Sequence, residues 1–192
     1  VDFLEKMDVP VYKVASPEIT DIPLIKYMAS KKKPMIISTG VANYEDIDLA
    51  LNTCRDVDNH NITLLKCTSE YPAPLEMANL LTIPNMKETF KVNVGVSDHT
   101  LGSTVPIAAV ALGAMVVEKH FILDRSLGGP DAVFSMEPND FLQMTKSIRE
   151  TEKALGSINY QIPEKHLLKR RSLFVVKDIK KGDVVSPDNI RS

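Results

Sequence analysis

Two short apolar runs, Val92-Asn93-Val94-Gly95-Val96 and Ala114-Met115-Val116-Val117, each end in ligand-capable side chains, Ser97-Asp98-His99-Thr100 and Glu118-Lys119-His120. Runs of this length and composition read as buried strands. Between them lies Leu101 to Gly113, thirteen residues rich in Ala, Val, Ile and Leu and closed by a glycine. That length suits a crossover helix, and a strand, helix, strand crossover leaves the two strands parallel. No other feature restricts the fold as strongly. Parallel strands take helices on their faces, and their polar groups gather at the C-terminal strand ends.

Neighbouring strands lie about 4.8 Å apart, so the imidazoles of His99 and His120 can converge on one ion at roughly 2.1 Å from each nitrogen. The alternation of side chains along a strand puts Ser97 with His99, and Glu118 with His120, on one face. Asp98 and Lys119 turn to the other. A single strand-end histidine is more often a hydrogen-bonded core residue than a metal ligand, and the matching positions of these two bring the readings into balance.

The same plan recurs upstream. Val9 to Ser16, Pro34 to Gly40 and Asn61 to Thr68 are apolar runs that end in hydroxyls, the second closed by Gly40 and the third followed by Ser69-Glu70-Tyr71-Pro72. Helices are expected over Asp21 to Ser30 and from Asn43, where Asp46 completes a capping box ahead of the stripe Ile47, Leu51 and Cys54. Two more are expected around Leu75 to Leu81 and Asn85 to Phe90. Leu123 to Met136 is irregular, as an active-site loop is. Pro138 opens the longest helical pattern, striped by Phe141, Met144, Ile148, Thr151 and Leu155 and stopped by Gly156. Lys13 is a lone cation in an apolar run, costly there unless it meets an anion, or else a side chain snorkelling between sheet and helices. Cys67 reads as core packing and His60 as solvated.

Five strand-and-helix units within residues 1–156 match the spacing of a (β/α)8 barrel, which takes ~250 residues. On that reading about three units are missing from the N-terminal side, and the chain starts inside a helix. A five-stranded open α/β sheet is the alternative. The expected organisation is a partial TIM barrel over 1–156, a linker over 157–170 and the start of a small β-rich domain over 171–192, with strands at Ser172 to Val176 and Val184-Val185. The chain is 44% hydrophobic and 25% charged with a net charge of -2, which favours neither nucleic acid nor an anionic membrane as partner. No apolar run has the length of a membrane span. Cys54 and Cys67 lack metal or redox spacing, so a reducing cytoplasm is the expected location.

With these motifs laid out, the chain resembles the sialic acid synthase family, whose members make N-acetylneuraminate and related nonulosonates. The resemblance is carried by Tyr12-Lys13-Val14-Ala15-Ser16 with Glu18, Ile37-Ser38-Thr39-Gly40, Lys66-Cys67-Thr68-Ser69-Glu70-Tyr71-Pro72, Gly95 to Thr100, Glu118-Lys119-His120-Phe121, Gly129-Pro130-Asp131 and Lys177 to Gly182. It implies condensation of phosphoenolpyruvate with the open-chain aldehyde of an N-acylated amino sugar, with C–O cleavage and release of phosphate. It also implies a divalent ion, Mn2+ or Mg2+, held by His99 and His120.

By the same resemblance Lys13, Ser16, Ser38 and Ser97 bind the phosphoenolpyruvate. Ser69 stands where many relatives have Asn, and its contact is left open. Glu18, Tyr71 and Asp131 face the sugar, Glu18 as proton donor or acceptor, and Glu118 activates or orients the attacking water. The part after Arg171 resembles the start of the antifreeze-like (SAF) domain, which in relatives closes over the partner subunit's barrel and contributes an arginine, implying a domain-swapped homodimer. The chain ends before that arginine is expected. Other phosphoenolpyruvate-dependent 3-deoxy-sugar-acid synthases, metal-dependent aldolases and a non-catalytic sugar-binding relative are the competing readings, the first two disfavoured by the SAF-like tail and the third by retention of both histidines and Lys13.

Overall fold

The computed structural model describes residues 1–192 and divides into two compact units, Val1–Gly156 and Ser157–Ser192. In the first unit, helix α1 (Asp2–Lys6) leads into strand β1 (Tyr12–Val14), a 3-10 turn (Ser16–Thr20) and α2 (Ile22–Ser30). Then come β2 (Met35–Ser38), α3 (Tyr44–Asp56), β3 (Ile62–Cys67), α4 (Thr82–Phe90), β4 (Asn93–Asp98), α5 (Thr104–Ala111), β5 (Val116–Lys119) and α6 (Pro138–Leu155).

All five strands are parallel and lie in the order β1-β2-β3-β4-β5. A doubly wound sheet reverses its strand order at a switch point, and this one never does. The sheet is also curled: Lys13 on β1 reaches Glu118 on β5, with Nζ 3.5 Å from Oε1, across three intervening strands. Five parallel strands thus form an α/β half-barrel, and the open-sheet alternative is set aside.

Register decides which residues face the helices. Tyr12, Met35 and Ile62 are aligned, as are Val14, Ile37, Leu64 and Val94. These seven pack with Ile25 and Met28 of α2, Ile47 and Leu51 of α3, and Ile83 and Met86 of α4 into one buried core. Each such aliphatic side chain contributes about 1.5–3 kcal/mol. The Asn43 side chain accepts from Asp46 N–H while the Asp46 carboxylate accepts from Asn43 N–H, the reciprocal box expected for α3; a cap of this kind is worth ~1 kcal/mol. On α6, Met144 and Ile148 are buried, but Leu155 is exposed and takes no part in the stripe.

Three local expectations are corrected. The helix expected over Leu75 to Leu81 is only a 3-10 turn, Leu75–Met77, because Asn79 adopts a left-handed φ of 44° that ends it. The first strand is three residues long, since Pro10 donates no N–H and Ser16-Pro17 already turns the chain. In the second unit a short helix, α7 (Glu164–Leu167), interrupts the expected linker, and β6 (Phe174–Val175) pairs antiparallel with β7 (Ile190–Arg191). Val184-Val185 forms no strand, because the Asn189 amide donates to the Val184 carbonyl and accepts from Ser186 N–H, holding the segment in a turn.

A candidate active site at the strand C-termini

The inner face of the half-barrel becomes polar toward the C-terminal strand ends. Ser38 of β2 aligns with Leu65, and Cys67, Ser97 and Glu118 of β3, β4 and β5 align with one another. Lys13 from β1 donates to Ser38 Oγ at 2.8 Å, and Ser97 Oγ donates to Glu118 Oε1 at 2.7 Å. Lys13 therefore turns inward to a carboxylate rather than outward between sheet and helices. Glu118 is drawn toward this lysine and serine.

A second group of hydroxyls meets around Gly40. Its N–H donates to Ser16 Oγ at 3.0 Å. A Cβ at this position would stand 2.3 Å from Ser69 Oγ, 2.9 Å from Cys67 Sγ and 2.9 Å from Ser16 Oγ, so only glycine allows the three side chains to close together. Ser69 Oγ is buried without a hydrogen-bond partner. A buried hydroxyl left unpaired costs about 1–3 kcal/mol, and such a group invites a ligand.

The two histidines lie beside these hydroxyls, with ring centroids 5.2 Å apart. His99 Nδ1 is 2.7 Å from the Thr68 carbonyl oxygen. Only an Nδ1–H can satisfy that oxygen, so in the neutral ring Nε2 keeps its lone pair. His120 Nδ1 lies 3.5 Å from Asp131 Oδ2. A carboxylate or carbonyl behind one ring nitrogen and a free lone pair on the other is how metal-bound imidazoles are usually oriented. No third His, Cys, Asp or Glu joins them to form a metal-binding cluster. The donor set therefore fits a hard divalent ion that takes its remaining ligands from water and substrate oxygens.

Burial works against a charged His99, but the Cys67 side chain and the Thr68 carbonyl outweigh it and hold its pKa above the ordinary value. Burial and the adjacent His99 push His120 the opposite way. For Cys67, burial disfavours the thiolate, yet His99, Ser16 and Ser97 facing the sulfur bring its pKa down to about 7. Cys67 is thus not simple core packing: it stands on the inner face, in register with Ser97.

Tyr71 caps the pair, its ring 4.1 Å from His99 and 5.6 Å from Phe134. The Ala73 N–H donates to the His99 carbonyl and fixes this loop to the end of β4. Phe134 is buried against His120 at 4.9 Å and went unnoticed in the sequence. Its loop returns to β5 through Met136 N–H bonded to the His120 carbonyl, which also carries Asp131 back to the site. Glu18 stands apart, exposed on the 3-10 turn after Ser16, with no hydrogen bond or ion pair to the other site residues.

Fold and site together define a parallel α/β half-barrel with a polar, imidazole-bearing mouth at the strand C-termini, the arrangement in which barrel enzymes carry their chemistry. The chain belongs to the NeuB family, whose model matches residues 1–160. It is 46% identical to the pseudaminic acid synthase of Helicobacter pylori, the match covering all of this chain and 58% of that protein. It is 43% identical to the N,N'-diacetyllegionaminic acid synthase of Campylobacter jejuni, over 99% of this chain and 59% of the relative. Among solved structures, the N-acetylneuraminic acid (sialic acid) synthetase of Leptospira borgpetersenii in complex with citrate superposes with a TM-score of 0.81 at 30% identity, covering 88% of this chain and 59% of that one. The chain thus spans 58–59% of the length of these relatives.

Proposed function

We propose that this chain is part of a nonulosonate synthase that condenses phosphoenolpyruvate with an N-acylated amino sugar, yielding a nine-carbon acid and phosphate. The observation that carries this reading is the inner-face array in which Lys13 and four serine hydroxyls adjoin the His99–His120 pair. A cation with directed hydroxyl donors suits a phosphate and carboxylate, and an imidazole pair suits an ion that meets an aldehyde oxygen. Relatives named for pseudaminic and diacetyllegionaminic acid support a 2,4-diacetamido sugar over N-acetylmannosamine.

In this reading Lys13, Ser16, Ser38, Ser69 and Ser97 bind phosphoenolpyruvate, while Tyr71 and Asp131 line the sugar side. His99 and His120 would hold Mn2+ or Mg2+, which would supply Lewis-acid polarisation of the aldehyde. The C3 carbon of phosphoenolpyruvate forms the new bond to the aldehyde carbon; water then adds at C2, and the C2–O bond to phosphate breaks. Glu118, already accepting from Ser97, takes the proton of that water, and Glu18 exchanges a proton with the sugar once the substrate brings them together. Holding both substrates in place contributes ~7–11 kcal/mol in well-oriented reactions.

The five units belong in this reading to a full (β/α)8 barrel, with 157–170 as linker and 171–192 as the start of an SAF domain that completes the partner's site in a homodimer. Cytoplasmic chemistry suits phosphoenolpyruvate, and no helix is long and apolar enough to cross a membrane. The test is phosphate release by the full-length enzyme from phosphoenolpyruvate with a panel of amino sugars. Turnover fastest with a diacetamido sugar is expected. Absence of phosphate release with every sugar in the presence of Mn2+ would overturn the reading.

A further inference from the structure

Asp98 and Lys119 precede the two histidines and point to the opposite, helix-covered face of the sheet. They stand in register on β4 and β5, and their side chains are almost wholly buried, at 2% and 1% exposure. Lys119 Nζ donates to Asp98 Oδ2 at 2.6 Å and also to the Thr100 carbonyl. Asp98 in turn accepts from Thr100 N–H at 2.9 Å and from its hydroxyl at 3.1 Å. Asp98 and Thr100 flank His99, so the peptide bearing that imidazole is gripped on both sides. The residue that grips it is the one before His120.

A buried ion pair is a poor device for stability alone, since apolar residues of the same size serve sheet packing as well or better. The neighbouring outward positions on the same strands, Val96 and Val117, are apolar. What the pair adds is direction: bonds that hold only when the ends of β4 and β5 keep one relative position. That position sets the separation of the two imidazoles. We propose that Asp98 and Lys119 are positioning residues that hold His99 and His120 at the spacing needed to share one divalent ion; this rests on the reading that those imidazoles bind the ion.

The test uses full-length enzyme stripped of metal and titrated with Mn2+, free Mn2+ being read by electron paramagnetic resonance, with thermal melting alongside. Removing one partner would strand a buried charge, so charge-neutral pairs are compared: D98L/K119M, which is apolar, and D98N/K119Q, which keeps amide hydrogen bonds. Both are expected to melt cooperatively. D98L/K119M should bind Mn2+ about 10–100-fold more weakly, as loss of groups behind metal ligands does, and D98N/K119Q should lose less. K119R, which keeps the charge, should recover most of the affinity. Parental Mn2+ affinity in a folded D98L/K119M variant would overturn the inference. Loss of cooperative melting in both neutral variants would also overturn it, by making the pair a folding element. If the parent binds no Mn2+, or H99A binds it unchanged, the metal reading itself fails and this inference with it.

Discussion

Lys13 Nζ and Glu118 Oε1 lie 3.5 Å apart although three strands separate β1 from β5. In a flat sheet four strand spacings of about 4.8 Å would put them roughly 19 Å apart. Only a sheet already curling toward closure lets them meet. The pair is 31% and 44% exposed, so as a surface ion pair it is worth about 0–1 kcal/mol. Its value is that it puts a cation at the centre of the concave face.

Replacing that cation tests its role. Lys13→Met keeps the bulk and removes the charge, and a charge-assisted hydrogen bond is worth ~1.5–3 kcal/mol. The KM for phosphoenolpyruvate should rise roughly tenfold or more while that for the sugar moves little. Equal effects on both substrates would make Lys13 a structural residue.

His99→Ala and His120→Ala in the full-length enzyme should each abolish metal-dependent turnover and lower bound Mn2+ measured after dialysis. The stability costs should differ. His99 is buried and bonded to the Thr68 carbonyl, so its loss leaves that oxygen unpaired at about 1–3 kcal/mol. His120 is one-third exposed, and its removal should shift melting less.

Ser69→Ala separates binding from folding. The Ser69 hydroxyl is bonded to no other protein group, so its removal should leave the melting temperature unchanged or raised. If the hydroxyl serves phosphoenolpyruvate, the same change should raise its KM severalfold. A destabilised variant with normal KM would show that Ser69 only supports the loop.

Metal affinity should depend on pH through His99. Its pKa is raised above the ordinary 6.5, so it holds its proton to higher pH and competes with the ion there. Mn2+ affinity should therefore fall as pH drops through a value above 6.5. His120, whose pKa is lowered, is already neutral in that range. For the metal-free protein the sign reverses, because a group with a raised folded pKa stabilises the fold below its unfolded pKa and loses that contribution as pH rises through the folded one. Titrations of Mn2+ binding and of metal-free melting between pH 6 and 8 should run in opposite directions, and parallel trends would assign the titration to another group.

The sequence by itself determined the local arrangement: five parallel strand-and-helix units, the capping box at Asn43, the stop at Gly156, and the shared faces of Ser97 with His99 and Glu118 with His120. Those follow from short-range sterics and hydrogen bonding, which a period of two or 3.6 makes visible. The inward placement of Cys67 was hidden because Leu64 and Leu65 beside it are both fully buried, and a strand covered on both faces shows no alternation. Tertiary structure decided the meeting of Lys13 with Glu118, the packing of Phe134 on His120 and the bond between Asp98 and Lys119. Each joins residues on different elements, and their distances are set by the accumulated twist of the whole sheet and by where the Leu123 to Met136 loop returns to it, quantities that no stretch of neighbouring residues contains.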